Sequence, residues 1–252
     1  FWDNVLPKEE SEMINRHIRS HHVNLRLQTE IKEILSDENG RARAAVTNAG
    51  EEIPCQFVGL TVGVHPNISF LKNAGIETEK GVLVDAQLRT NIPNIYALGD
   101  CAQLRTPNEG RRPIEAVWYT GKMMGETVAA TICGIPTDYN PGIWYNSAKF
   151  FDIEYQTYGT VTPQLQEGEE TFYWEAEDGL RSLRIVYQSD SKAVLGFNAF
   201  GIRLRHQICD QWIRTGTTID NVVSNLSEAN FDPEFFKKFA REVQSKFQAT
   251  TA

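Results

Sequence analysis

The chain has 252 residues, of which 41% are hydrophobic and 23% charged, and its formal net charge is -8 at pH 7. This length suits one large domain or two ordinary ones, and the acidic balance argues against nucleic acid, whose phosphates require a basic face. No apolar run approaches the length of a membrane span and the N-terminus has no signal-peptide pattern, so a cytoplasmic location is the default expectation.

The cysteines are scattered, without any Cys-x-x-Cys spacing. This argues against a metal site or a disulfide framework, and we expect each cysteine to be a small buried hydrophobe. Cys101 is singled out because it directly follows a candidate ligand-binding carboxylate. The cysteines are Cys55, Cys101, Cys133 and Cys209.

The chain begins at Phe1 and is expected to open with a helix. Pro7 at the first helical position, followed by acidic residues, is a good helix start. His17 and His21 share one helix face, but no Cys or acidic residue is spaced to complete a metal site. We therefore expect a solvated or half-buried helix end and not a metal site.

A meander and one buried strand are predicted next. From Asn24 the apolar residues alternate, and turn signals occur at residues 37–40 and 48–50. Residues 57–64, FVGLTVGV, form a continuous apolar run. Such a run is typical of a strand that is buried on both faces.

The most informative stretch runs from Thr90 to Ala102. Residues 95–98 are apolar and end at Gly99 and Asp100, which predicts a buried strand that delivers a carboxylate to the crevice where parallel sheets bind ligands. A carboxylate there suits a hydroxyl-rich ligand. The alternative is an Asp that caps the next helix. A short strand is also predicted at residues 81–85.

Residues 103–113 are predicted to form a polar loop in which Arg111 and Arg112 either meet a phosphate or, more commonly, stay solvated. The next helix carries small residues four apart, which allow a close approach to a sheet or a cofactor. This small-residue stripe consists of Gly121, Gly125, Ala129 and Cys133.

After a linker at residues 139–142, alternating aromatic strands precede helices, which indicates an α+β unit. The first aromatic residues form either a wall near a ligand or ordinary core, and include Trp144, Tyr145, Phe150 and Phe151. Predicted strands cover residues 150–162, 171–176, 183–188 and 194–200. Predicted helices cover residues 203–215 and 233–247, the second opened by Asp232-Pro233-Glu234.

The segment from Thr90 to Asp100, with its apolar-Ala-x-Gly-Asp ending, resembles the second FAD-binding motif of the pyridine nucleotide-disulfide oxidoreductase family. These flavoproteins have two dinucleotide-binding domains. The resemblance implies that Gly99, Asp100 and Cys101 lie at FAD and that Asp100 holds its ribitol.

Glu115, Ala116, Val117 and Trp118 look most like the ferredoxin-reductase and apoptosis-inducing-factor branch of this family. The resemblance implies that this segment contacts the cofactor, with the backbone at Val117 and Trp118 facing the pyrimidine edge of the flavin. Free amides at a helix N-terminus stabilise the negative charge that develops there on reduction. For Trp118, core packing is the alternative.

The implied fold is α/β plus α+β, a partial two-dinucleotide-binding-domain flavoprotein with Rossmann-like remnants. Residues 1–78 correspond to the C-terminal part of the NAD(P)H-binding domain, 79–142 to the second segment of the FAD-binding domain, and 143–252 to the C-terminal interface domain. GxGxxG, which would cradle a pyrophosphate, occurs nowhere in the chain. FAD and NAD(P)H are therefore implied for an intact parent, and the chain alone is expected to be an inactive fragment.

The glutathione-reductase type is disfavoured because His206, inside a predicted helix, is not followed by proline. The single-cysteine type, which includes NADH oxidases and CoA-disulfide reductases, stays open because its cysteine would lie upstream. The remaining branch passes electrons through FAD to a small redox protein and needs no protein acid or base, so no catalytic side chain is assigned. Expected partners are the missing N-terminal portion, an electron-transfer protein and a second copy; a non-catalytic interaction module is the alternative.

Overall fold

The computed structural model describes residues 1–231 and 239–251. Helix α1, Lys8–Ser20, leads to a three-stranded antiparallel sheet made of β1 (Ile31–Ser36), β2 (Ala42–Thr47) and β3 (Glu52–Pro54). The predicted meander and both of its turns are therefore confirmed. Pro7 differs in detail, since it caps α1 from outside as the residue before the helix.

The first meander turn shows why the local signal was sufficient. The Asp37 side chain accepts hydrogen bonds from the backbone N–H groups of Asn39 (2.8 Å) and Arg41 (2.9 Å), and Gly40 supplies the required positive φ of 76°. Both devices depend only on neighbours in the sequence.

The predicted buried strand at residues 57–64 is wrong. This segment is irregular, and its apolar side chains Phe57, Leu60, Val62 and Val64 are 70–91% exposed. A strand that is buried on both faces needs a hydrogen-bonded strand at its edges. Among the described residues, none pairs with this segment.

The strand predicted at residues 95–98 is also wrong. Tyr96 forms a single bridge with Arg89, and the Ala97 N–H donates to the Leu88 carbonyl over 3.1 Å, so the segment folds back on the residues just before it. The parallel pair of this region is instead β4 (Val82–Val84) with β5 (Ala102–Leu104). The strand therefore follows Gly99 and Asp100, and the predicted loop begins two residues later than expected.

Gly81 explains how β4 and β5 come together. A Cβ atom on Gly81 would lie 2.7 Å from the Cys101 carbonyl oxygen, which is closer than real side chains approach. Helix α2, Trp118–Ile132, packs on this pair through Met124 and Val128. Tyr139, predicted to lie in a linker, is buried in the same core.

The C-terminal part is a five-stranded antiparallel sheet in the order β6-β7-β10-β9-β8. Its strands are β6 (Tyr145–Phe150), β7 (Ile153–Gly159), β8 (Glu169–Glu175), β9 (Ser182–Gln188) and β10 (Val194–Phe200). The predicted strand at residues 150–162 is half of a hairpin, since Phe150 pairs with Ile153 around a two-residue turn. The other three predicted strands are confirmed.

Helices α3 (His206–Arg214), α4 (Ile219–Ser224) and α5 (Ala240–Thr251) follow the sheet. The prediction of an α+β unit in this part of the chain is therefore confirmed, although α4 was not predicted. The predicted opening of the last helix at Asp232-Pro233-Glu234 lies outside the described residues. Throughout the described part of the chain, no helix has both the length and the apolarity to cross a bilayer.

Helix α1 packs against the C-terminal sheet. Met13, Ile14 and Ile18 share a buried cluster with Ile153 and Phe200. Contacts of α1 therefore reach beyond residues 1–78, while the predicted boundaries after residues 78 and 142 stay predictions.

The expectation for the cysteines is confirmed for Cys209 alone. Cys209 is fully buried, and burial raises the pKa of its thiol. Cys55 and Cys101 are half-buried and Cys133 is exposed. All four are free thiols.

Candidate functional site

The turn that carries Gly99, Asp100 and Cys101 is a short 3-10 helix that follows an extended Leu98. Gly99 has a φ of 74°, a conformation that glycine adopts without strain. Its N–H contacts the Met124 sulfur at 3.3 Å, which ties the turn to α2. The Cys101 thiol donates to the Leu98 carbonyl over 3.6 Å.

The Asp100 side chain is exposed at this turn. Helix α2 has no side-chain cap, so the alternative in which Asp100 caps the next helix does not describe the structure. No described residue forms a hydrogen bond or ion pair with the Asp100 carboxylate, which leaves its oxygens available to hydroxyl groups of a ligand.

The N-terminus of α2 lies next to this turn. Val117 precedes the helix with extended backbone and has no polar side-chain atom for capping. The N–H groups of Trp118, Tyr119 and Thr120 therefore have no partner within the helix, since the first intrahelical bond runs from Gly121 to the Val117 carbonyl. Together with the helix dipole, such amides favour a negatively charged group.

The small-residue stripe explains the close approach. A Cβ atom built on Gly121 would touch the Gly99 Cα at 3.6 Å, and one on Gly125 would touch Leu98 at 3.8 Å. Ala129 and Cys133, at the other end of the stripe, are exposed. The first half of the stripe thus brings the Gly99–Cys101 turn against the start of α2.

Glu115 has a structural partner that the sequence analysis missed. Its carboxylate accepts two hydrogen bonds from Arg111, at 2.7 and 2.6 Å, and both side chains are nearly fully buried. Arg111 also donates to the Gly142 carbonyl and lies over the Trp144 ring. The expectation of a solvated arginine is wrong for Arg111, while Arg112 is exposed.

This buried pair holds the approach to α2 in place. Beyond Glu115, the exposed Ala116 and half-buried Val117 lead into the helix, and the Thr120 hydroxyl donates to the carbonyls of Glu115 and Val117, both over 2.9 Å. The Glu115 carboxylate itself is occupied by Arg111. Spacing alone, with Arg and Glu four apart, was the available signal for the pair.

Trp118 is 72% exposed, so core packing does not explain it. Its ring meets the edge of the Tyr119 ring at 5.4 Å. Tyr119 in turn contacts Tyr145, which packs on His206 at 4.3 Å. This row of aromatic contacts starts at Trp118, the residue whose free N–H opens the helix. The sequence pointed to Tyr145 as a possible member of an aromatic wall, but not to Tyr119 or His206.

An open cavity of about 640 Å³ lies beside these aromatic side chains. Its lining includes Tyr119, Tyr145, Tyr158, Arg203 and His206. Burial lowers the pKa of His206, which favours the neutral imidazole. Phe150 is not part of this surface and instead packs into the cluster around α1. Of the four aromatic residues for which a wall or ordinary core was the alternative, Tyr145 lines this cavity, whereas Phe150 belongs to a core cluster.

Residues 2–126 match the family model described as pyridine nucleotide-disulphide oxidoreductase. The ferredoxin–NAD(P)+ reductase of Sphingomonas sp. is 32% identical over 199 residues, covering 76% of this chain and 46% of that protein. The NAD(P)H coenzyme A polysulfide/persulfide reductase of Pyrococcus horikoshii is 33% identical over 165 residues, covering 64% and 36%. This chain spans about half the length of the curated relatives it matches, or less.

One solved structure shares the fold of nearly the whole of this chain. An NAD-dependent persulfide reductase from A. fulgidus superimposes with a TM-score of 0.75 at 21% identity, covering 98% of this chain and 48% of that one. The mixed α/β part and the following α+β part therefore correspond to part of a dinucleotide-binding fold and its C-terminal domain. The family model and the ferredoxin reductase relative together show that the chain belongs to the pyridine nucleotide-disulphide oxidoreductase family.

Proposed function

We propose that this chain is the C-terminal portion of an FAD-dependent NAD(P)H oxidoreductase that delivers electrons to a small redox protein. Bound FAD would supply the redox chemistry, which is hydride transfer from NAD(P)H followed by electron transfer to the acceptor. The chain's own residues contribute binding, orientation and electrostatic stabilisation. The 32% sequence identity to the Sphingomonas ferredoxin reductase supports a small redox protein as the acceptor.

One observation carries the proposal: because Gly121 approaches Gly99 closely, an unpartnered carboxylate and an uncapped helix N-terminus lie side by side. Asp100 suits the hydroxyl groups of a ribitol, because a carboxylate accepts charge-assisted hydrogen bonds. The amides of residues 118–120 suit the edge of a ring system that gains negative charge on reduction. Glu115 acts as a positioning residue through Arg111.

The residues present fit one end of FAD. GxGxxG, the motif that cradles a pyrophosphate, is absent from the sequence, so phosphate contacts must come from elsewhere in a whole protein. We therefore expect the isolated chain to bind FAD weakly and to show no turnover. NAD(P)H binding, a cytoplasmic location and a homodimeric whole protein belong to the same proposal.

The test is FAD affinity in the full-length product of the gene that encodes this chain. Asp100→Asn removes the charge and keeps the size of the side chain. Loss of hydrogen bonds to a charged group costs about 1.5–3 kcal/mol, so the FAD dissociation constant should rise roughly 10- to 100-fold. Flavin fluorescence quenching during titration of the apoprotein measures it.

Asp3→Asn is the matched control, because Asp3 is also exposed and lies in a turn near the N-terminus. It should leave FAD affinity unchanged. Equal affinity in the Asp100→Asn variant would remove Asp100 from the site. A full-length protein that contains no flavin and cannot be reconstituted would refute the proposed function itself.

A second candidate is a parent enzyme of the single-cysteine type, favoured by the identity to the coenzyme A polysulfide/persulfide reductase of P. horikoshii. NAD(P)H oxidation by the full-length protein, measured with a ferredoxin and separately with a coenzyme A persulfide, distinguishes the two. Activity only with the persulfide would favour this second candidate.

A further inference from the structure

His17 of α1, His21 directly after the end of α1, and Asp152 of the β6–β7 turn lie close together. His17, His21 and Asp152 each offer one ligand atom, and the three atoms all lie within 4.8 Å of one another. The His17 Nε2 is 2.7 Å from an Asp152 carboxylate oxygen, and the His21 Nε2 is 3.4 Å from the same oxygen. In the sequence, His17 and His21 are spaced as a pair, but no acidic residue near them is spaced to complete the site.

From this convergence, we propose that His17, His21 and Asp152 bind a divalent transition-metal ion, with Zn²⁺ as the expected ion, and so fasten α1 to the β6–β7 turn. Imidazole and carboxylate together suit zinc, whereas Mg²⁺ and Ca²⁺ prefer oxygen ligands alone. Histidines four apart on a helix present both rings to one ion.

Ligand separations support this assignment. Bonds of about 2.0–2.1 Å in a tetrahedral site place ligand atoms about 3.3 Å apart. The His21–Asp152 separation of 3.4 Å is close to this value, whereas the 2.7 Å between His17 and Asp152 is the distance of a hydrogen bond. On binding an ion, the His17 and Asp152 side chains would therefore move apart, by about 0.6 Å.

The orientation of His21 is fixed from two sides. Its Nδ1 lies 3.0 Å from the His17 backbone carbonyl, an acceptor, so the Nδ1 carries the proton and the Nε2 of the neutral ring keeps its lone pair. Metal-bound histidines commonly donate their second ring nitrogen to a carbonyl in this way. The Phe151 ring stacks on His21 with centroids 4.2 Å apart and planes 9° apart.

The turn that carries Asp152 has an unusual backbone. Phe151 has a φ of 56°, a strained conformation for a bulky side chain, at the first position of a turn that favours glycine. His17 is nearly fully buried, while 68% of the Asp152 side chain is exposed. The site therefore has a rigid inner ligand and an outer ligand that leaves room for water in a fourth position.

The experiment uses the 252-residue chain after chelator treatment. Isothermal titration with Zn²⁺ should give one ion per chain, and Zn²⁺ should raise the melting temperature. Co²⁺ should give visible d–d bands of a tetrahedral or five-coordinate ion without thiolate charge-transfer bands, which excludes the free cysteines as ligands.

Variants at the exposed ligands test the assignment. His21→Gln and Asp152→Asn should each weaken Zn²⁺ binding at least roughly tenfold, since each removes one of three ligands. His22→Gln is the matched control, because His22 is exposed and directly follows the site. Circular dichroism of each variant in the absence of metal verifies that it folds.

The proposal would be overturned if the wild type bound Zn²⁺ no more tightly than the Asp152→Asn variant. In that case His17 and Asp152 form a hydrogen-bonded pair only. Equal losses in His22→Gln and His21→Gln would also overturn it, because binding would then be a property of surface histidines.

Discussion

At the scale of single residues, the charge arrangement around Arg184 connects α1 to β9. Arg184 is nearly fully buried and donates to Glu10 over 3.0 Å and to Glu9 over 2.7 Å. Glu9 is partly exposed; partial burial acts to raise the pKa of its carboxyl, but a backbone hydrogen bond and Arg184 together lower this pKa below its ordinary value. Burial raises the pKa of Glu10 to about 7, although Arg184 opposes this shift.

Two carboxylates thus share one guanidinium, and Glu9 carries the compensating charge while Glu10 takes up a proton. Because the pKa of Glu10 is raised on folding, the folded chain binds more protons than the unfolded chain between pH 4.5 and about 7. The stabilisation is complete below the unfolded value and is lost as the pH rises through about 7.

The prediction is that Glu10→Gln removes this pH dependence. Between about pH 5 and about pH 8 the free energy of unfolding of the wild type should fall by up to about 3 kcal/mol relative to the variant, at about 1.4 kcal/mol per pKa unit. Urea denaturation at both pH values measures it. Glu12→Gln, an exposed change on the same helix, should behave like the wild type.

A wild type and a Glu10→Gln variant with parallel pH profiles would contradict the prediction. Glu10 would then stay ionised beside Arg184 across this range.

At the scale of elements, glycines set how closely β7 and β10 approach at their ends. Gly159 ends β7 opposite Gly196, and a Cβ atom on Gly159 would lie 2.1 Å from the Leu195 carbonyl oxygen. Its φ is 64°. Gly168 has a similar φ of 80°, but the nearest atom to its Cβ would be 3.8 Å away.

This pair separates steric clash from backbone strain. Gly168→Ala should destabilise the chain by about 1–2 kcal/mol, the cost of a left-handed backbone. Gly159→Ala should cost a further 1–3 kcal/mol, roughly, because the strands must also move apart. Chemical denaturation of both variants measures the difference, and equal losses would show that the backbone of Leu195 yields without cost.

Elements governed by neighbours in the sequence were predictable, and those governed by distant ones were not. The turn at Asp37 and the β-strands with alternating aromatics follow from local chemistry, so their signals were sufficient. The Asp152 carboxylate lies 135 positions from His17, a separation that no spacing rule covers. The prediction that residues 57–64 form a buried strand was wrong for the same reason, because the burial of a strand depends on neighbouring strands.

The candidate site divides in the same way. The small-residue stripe indicated a close approach, and Gly121 makes it against Gly99. Composition indicated a loop for Arg111, but its burial depends on the Trp144 ring and the Gly142 carbonyl, which belong to a later part of the chain. A local pattern could therefore place the site and could not assign its supporting contacts.

At the scale of the whole molecule, residues 57–64 present apolar surface that the described chain does not cover. Val62 is 91% exposed and Val64 is 89% exposed, with Phe57 and Leu60 close by in sequence. Contiguous apolar surface of this kind promotes association, whereas isolated exposed hydrophobic side chains are normal. This surface is thus the part of the isolated chain most suited to contact another polypeptide.

The prediction is that the isolated chain associates through residues 57–64 as its concentration rises. Val62→Lys combined with Val64→Lys should lower the average mass measured by size-exclusion chromatography with light scattering, because charged side chains oppose apolar contact. The melting temperature should stay unchanged, since neither side chain contributes to a buried cluster. Ile135→Lys, at an exposed apolar position following α2, is the control and should not alter the mass. An equal fall in mass with Ile135→Lys would show that the association does not depend on residues 57–64. A wild type that is monomeric at every concentration would show that the isolated chain does not associate, and it would remove the support for a chain that acts mainly as an interaction module.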